Sequence, residues 1–111
     1  MKVAVIGSRS IINIDLSSYL PAQTTEIVSG GAKGVDSIAA DYAKANRIKL
    51  TLFLPEYEKY GRAAPLKRNE KIVAYSDYVL AFWNGTSLGT RHVLALCEET
   101  KTPVQVITID T

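Results

Sequence analysis

The chain has 111 residues with a formal net charge of +2, from 13 basic and 11 acidic side chains; 47% of its residues are hydrophobic and 22% charged. That length holds one domain, residues 1–111, and the composition excludes a disordered tail, a collagen-like fibre and a coiled coil. A balance so near neutral argues against a dedicated duplex-DNA binder, and any ligand must sit at the edge of this one fold or in a cleft made with a second copy.

Val3 to Ile6 is a short, continuous apolar run that stops at Gly7, the pattern of a strand buried on both faces. A short helix from about Asp15 to Leu20 ends before Pro21. Glu26-Ile27-Val28 reads as the second strand, closed by Ser29-Gly30-Gly31. Val35, Ile38, Ala39, Tyr42 and Ala43 recur at helical spacing and mark a helix from about Val35 to Asn46. The third strand runs from about Lys49 to Leu54. A polar and aromatic loop with Tyr57 and Tyr60 follows, then a helix from about Ala64 to Tyr75 whose inner stripe is Leu66, Asn69, Ile72 and Val73. Asp77 to Trp83 is the fourth and most apolar strand. The last helix, about Gly89 to Thr100, turns Val93, Leu94 and Cys97 inward, and Pro103 opens a fifth strand to about Ile109.

Strand alternating with helix indicates an α/β fold with an open, parallel five-stranded sheet and helices on both faces. The first and fourth strands are solidly apolar and belong in the centre. The third and fifth are interrupted by polar residues and belong at the edges. The order 3-2-1-4-5 satisfies this; 2-1-3-4-5, which puts the third strand in the middle, ranks second.

Such sheets bind ligands beyond the carboxyl ends of their strands, where the strand order reverses. In the preferred order that point lies between strands one and four. Gly7-Ser8-Arg9 follows strand one, Ser29-Gly30-Gly31-Ala32-Lys33-Gly34 follows strand two, and Asn84-Gly85-Thr86-Ser87-Leu88-Gly89-Thr90 follows strand four. Glycine lets backbone approach a ligand closely, and free N–H groups at a helix start favour an anion. Arg9, Lys33 and Arg91 add full positive charge; Ser8, Ser29, Thr86, Ser87 and Thr90 add hydroxyls. The expected ligand is small and phosphate-bearing. Neither standard nucleotide fingerprint is present: there is no G-x-x-x-x-G-K-[ST], and no G-x-G-x-x-G after the first strand.

Each residue also has a plainer reading. Glycines between strand and helix serve turns. Asp36 lies in the first turn of a helix, where a carboxylate complements the dipole, or it binds a ligand hydroxyl. Arg68 and Asn69 form a polar pair beside a buried stripe and need partners: either they brace neighbouring loops or they reach the ligand. Tyr57 and Tyr60 stack on a base or cover the sheet edge. Arg91 and His92 face solvent in the plain reading, and His92 has no second histidine or cysteine at metal-ligand spacing. Cys97 is a core residue. One cysteine forms no internal disulfide, which fits a reducing compartment. With no signal peptide and no run near ~18 apolar residues, the expected location is cytoplasmic, with no membrane partner.

Taken together, Gly7-Ser8-Arg9, Ser29 to Asp36, Tyr60-Gly61, Arg68-Asn69 and Trp83 to His92 resemble, in order and over nearly the whole chain, the SLOG superfamily. They are most similar to its small YspA-like, YpsA-related branch. The resemblance implies a Rossmann-like fold and binding of a nucleotide or a nucleotide-derived, ADP-ribose-like ligand. Backbone of Gly7-Ser8, Gly30-Gly31 and Gly85 to Thr90 would hold phosphate, with Arg9, Lys33 and Arg68 neutralising it and Asp36 and Asn69 binding ribose or bracing the loops. In the DNA-processing protein A family the matching loops and R-N pair line a single-stranded DNA site, which makes single-stranded nucleic acid an alternative ligand. In the LOG phosphoribohydrolases an arginine, matched by Arg68, works with a glutamate in P-G-G-x-G-T-x-x-E to release a base from ribose phosphate. Aligning Gly89-Thr90 with that G-T places Val93 at the glutamate, so N-glycosidic hydrolysis would need Asp36, Glu56 or Glu58 instead. Related domains pair through helices, so a homo-oligomer is expected.

Overall fold

The two most apolar segments of the chain form two adjacent inner strands of the sheet. In a computed structural model that describes residues 1–109, β1 (Lys2–Gly7) pairs with β4 (Tyr78–Trp83), in register from Val3↔Tyr78 to Gly7↔Phe82. β2 (Glu26–Ser29) and then β3 (Lys49–Leu52) extend the sheet on the β1 side; β5 (Val104–Thr108) closes it on the β4 side. All pairs are parallel and the order is β3-β2-β1-β4-β5. Both edge strands are the polar-interrupted ones. The fold is the expected α/β, Rossmann-like sheet.

Alternation along the central strands divides the core in two. Val3, Val5, Ile27, Leu80 and Phe82 face helix α1 (Val35–Ala45), which presents Val35, Ala39 and Ala43. Ala4, Ile6, Val28, Val79 and Ala81 face α3 (Ala64–Tyr75) and α4 (Leu88–Thr100), which present Ile72, Val73, Val93 and Cys97. A single turn, α2 (Tyr57–Tyr60), precedes α3 in the segment expected to be loop.

Two local expectations change. The helix expected at Asp15 to Leu20 is a 3₁₀ turn, Leu16–Ser18. The Asp15 carboxylate accepts from Ser17 Oγ at 2.6 Å and Ser18 Oγ at 2.8 Å, and such local bonds compete with an α-helix too short to nucleate against Pro21. The turn still covers the sheet: Leu16 is buried, and Tyr19 meets Phe82 edge-on at 5.3 Å. Leu66, expected on the inner stripe of α3, is 46% exposed. Asn69, Ile72 and Val73 are buried as expected.

At the amino end of the sheet, α3 is tied down by a buried acid. Glu26 accepts from Thr51 Oγ1 at 2.6 Å and from the Tyr75 hydroxyl, with Lys49 Nζ at 3.6 Å. These hydroxyl donors, Thr51 first, hold its carboxyl below the usual range.

At the opposite end, Gly34 caps α1 with φ +73. A Cβ there would stand 2.6 Å from the Arg9 carbonyl oxygen and 2.8 Å from that of Ser8. Gly61 also has positive φ, at +56, but open space around it. Gly34→Ala is therefore expected to cost about 2–4 kcal/mol and Gly61→Ala about 1 kcal/mol, read as the difference in urea unfolding. Equal losses would contradict the steric role of Gly34.

Candidate functional site

The loops after β1, β2 and β4 and the first half of α3 enclose a cleft of about 450 Å³ at the carboxyl end of the sheet. It lies where the strand order reverses. Its outline is set by bonds between loops. Ser8 is buried; its N–H donates to the Phe82 carbonyl at 3.0 Å, and its Oγ accepts from Asn84 N–H at 3.1 Å. That leaves the Ser8 hydroxyl proton for another acceptor. Asn84 Nδ2 donates to Ser10 Oγ at 3.3 Å. Its Oδ1 accepts from the N–H groups of Thr86 and Ser87, both at 2.9 Å, and from Thr86 Oγ1 at 3.1 Å. Asn84 thus folds its own loop and fastens it to the loop after β1.

Ser87 caps α4: its Oγ accepts from Thr90 N–H at 3.4 Å and from Thr90 Oγ1 at 3.3 Å. The leading N–H groups of a helix have no acceptor within it, and the dipole adds partial positive charge there. Gly89, in that first turn, lines the cleft. Apart from its chain neighbours and the backbone of its own helix, no atom lies within 4 Å of the place a Cβ would take. Packing gives no reason for a glycine here. Its absent side chain leaves the α4 backbone open to the cleft.

Two cations and one carboxylate line this space. Arg9 is exposed. Arg68 is half-buried; its Nη1 donates to the Gly30 carbonyl at 2.7 Å and its Nε to Asn69 Oδ1 at 2.9 Å. Gly30 is what admits it, because a Cβ there would lie 2.3 Å from Arg68 Nη1. Burial pulls the guanidinium below its ordinary value, while Asp36 opposes the shift. Asp36 is buried and accepts from Ala32 N–H at 3.0 Å. Burial pushes its carboxyl up; the Ala32 N–H, Arg68 and Arg9 act in the other direction.

The Arg68 chain continues. Asn69 Nδ2 lies 3.2 Å from His92 Nδ1. Arginine only donates, so Asn69 must turn its oxygen to Arg68 and its amide protons to His92. The imidazole Nδ1 is then an acceptor, and the neutral ring carries its proton on Nε2. Against the plainer sequence reading, His92 is half-buried with a partner, because one turn of α4 sets it against α3; Arg91 is exposed.

Of the residues singled out in the sequence, Gly7, Ser8, Arg9, Gly30, Asp36, Arg68, Asn69, Asn84, Ser87, Gly89 and Thr90 meet in the cleft lining. Ser29, Gly31, Lys33, Gly34, Gly85 and Thr86 do not. Ser29 is buried beneath, accepting from Gly31 N–H at 3.4 Å; Lys33, Gly85 and Thr86 are exposed. Tyr57 and Tyr60 also lie outside the lining, with Tyr60 beside Lys59 and Lys71. Ile6, Ser10, Ala32, Pro65, Leu66 and Ile72 line the cleft without having been named as ligand-binding residues; Leu66 and Ile72 were expected only on the inner stripe of their helix. Pro65-Leu66 carried one usable signal, an apolar pair in the first turn of a helix that starts at the ligand end of the sheet. Cys97 is buried, and burial raises its thiol, so it offers no ready thiolate. Among the described residues no group of three potential ligands could hold a metal ion, and no helix is long and apolar enough to cross a membrane.

The profile of the family described as "YspA, cpYpsA-related SLOG family" matches residues 1–60. "Gene 61 protein" of Mycobacterium phage D29 is 36% identical over 84 residues, covering 70% of this chain and 67% of that protein. No solved structure matches.

Two measurements check the electrostatics. Nitrogen-15 NMR of the imidazole is expected to show His92 as the Nε2–H tautomer, and Asn69→Ala to abolish that preference; an Nδ1–H ring would break the proposed chain. Asp36 binds its proton more tightly folded than unfolded, so its burial cost appears as pH rises from the ordinary carboxylate range through the folded value. Asp36→Asn keeps an oxygen for Ala32 N–H, and is expected to raise stability at neutral pH relative to acid when both proteins are melted across that range.

Proposed function

The chain belongs to the YspA, cpYpsA-related SLOG family, and from that premise we propose that it binds a nucleotide or nucleotide-derived, phosphate-bearing ligand in the cleft. The observation that carries this is the meeting of the α4 N-terminus, bare at Gly89, with Arg9, Arg68 and the Ser8 hydroxyl. Backbone N–H groups and two guanidinium groups suit a phosphate oxygen cluster. Asp36, the one acidic side chain in the lining, is set for a sugar hydroxyl, as an acidic residue is in other dinucleotide sites of this sheet type. Lys33, Gly85 and Thr86 are exposed and outside the lining, on the same loops, and would contact only a ligand longer than the cleft.

N-glycosidic hydrolysis is the lesser reading. Val93 lines the cleft and supplies no carboxylate, which leaves Asp36 alone for proton transfer. Binding along a single nucleic acid strand is weaker still, since Tyr57 and Tyr60 lie outside the lining that holds Arg9 and Arg68, and stacking platforms for such strands lie along the groove that tracks the backbone.

Isothermal titration with nucleoside mono- and diphosphates and an ADP-ribose-like dinucleotide is expected to give at least one Kd tighter than ~1 mM. Arg68→Lys, which cannot keep both of its bonds, and Gly30→Ala, which displaces the guanidinium, are each expected to weaken it about tenfold with the fold retained. Failure of every phosphate-bearing compound to bind below ~1 mM would overturn the reading. Base release from nucleoside monophosphates that Asp36→Asn abolishes would promote the hydrolase.

A further inference from the structure

The cleft has two unlike walls. One is polar, built from the loops after β1 and β4. The other is the start of α3, where Pro65, Leu66 and Ile72 face the same space, with Val93 beside them from α4. Ile72 and Val93 are packed, whereas Leu66 is 46% exposed. Helical spacing explains this: Leu66, Asn69 and Ile72-Val73 share one face, but Leu66 is a turn nearer the end of α3 and overhangs the cleft rather than the sheet. An apolar side chain at a concave wall leaves area that an occupant would cover, and the anion site opposite it says what else that occupant carries.

Resting on the nucleotide reading above, we propose that the first turn of α3, Pro65 to Arg68, is the base platform of the cleft. A nucleobase lies on Leu66 and the Pro65 ring, with the Arg68 guanidinium along its margin, and the phosphate points to the α4 N-terminus and Arg9. The ligand class is thus a nucleoside phosphate rather than a sugar phosphate or a free phosphate. Pro65 and Leu66 offer no side-chain hydrogen-bond group, so this wall reads apolar area: purines bind above pyrimidines, and adenine and guanine are separated little by it.

Titration with adenosine monophosphate, cytidine monophosphate, ribose 5-phosphate and inorganic phosphate tests the assignment. Adenosine monophosphate is expected to bind at least about tenfold more tightly than ribose 5-phosphate, with cytidine monophosphate between them. Leu66→Ala is expected to remove most of that advantage while leaving ribose 5-phosphate unchanged, and because Leu66 is 46% exposed the fold is kept, which an unaltered melting temperature verifies. Equal affinity for adenosine monophosphate and ribose 5-phosphate overturns the platform and leaves the phosphate site standing. No binding by any of the four overturns the platform, and the nucleotide reading falls with it when the nucleoside diphosphates and the ADP-ribose-like dinucleotide fail too. A wild-type oligomer that Leu66→Ser converts to a monomer, by light scattering, also overturns the platform, because Leu66 would then be covered by a second copy.

Discussion

Where β1 pairs with β4, the chain has already gone one way to β2 and β3 and later goes the other way to β5. The loops leaving β1 and β4 therefore face one another with no crossover between them, and the Ser8 N–H, one residue beyond the strand, still finds the Phe82 carbonyl. That parallel pairing, buried on both faces, determines the position of the cleft. Asn84 can bond Ser10, and Ser8 can hold the Asn84 backbone, because the register Gly7↔Phe82 brings the two loops to the same height. The amino end of α4, capped by Ser87, is carried there by the same loop.

Charge within the cleft is arranged by burial as much as by sign. Arg68 and Asp36 are both drawn toward their neutral forms by lost solvent, and each is opposed by the other. No ion pair between them is closed; Arg68 instead spends its donors on Gly30 and Asn69. A guanidinium held by neutral acceptors presents its full charge to the cleft, whereas one bonded to a carboxylate would present little net charge. The sequence pair Arg68-Asn69 signalled a need for partners, and both roles weighed for it prove compatible in geometry: Asn69 braces, and Arg68 is braced while still lining the space.

The strand order was legible because apolar content separates Val3 to Ile6 and Val79 to Phe82 from the mixed Leu50-Thr51-Leu52 and Val104-Gln105-Val106. Convergence of the glycine loops followed from that order. Side-chain competition was harder to read: Asp15 with Ser17 and Ser18 replaced a helix by a 3₁₀ turn, and nothing in the local pattern of Leu66 distinguishes a core position from a cleft wall, since both lie on the same helix face. The buried Glu26 carried no periodic signal at all. Its partners, Thr51 and Tyr75, come from a neighbouring strand and a distant helix, so only the folded arrangement explains why an acid begins a buried strand.

Helix α3 resembles a beam with a support near each end. Tyr75 is pinned to Glu26 below, and Arg68 is pinned to the Gly30 carbonyl above, with Ile72 and Val73 bedded on the sheet between them. Past the upper support, Ala64 is still buried and only Pro65 to Lys67 carry partly or fully exposed side chains. The width of the cleft is then a property of the sheet beneath, transmitted through the helix, and not something the helix can adjust by sliding.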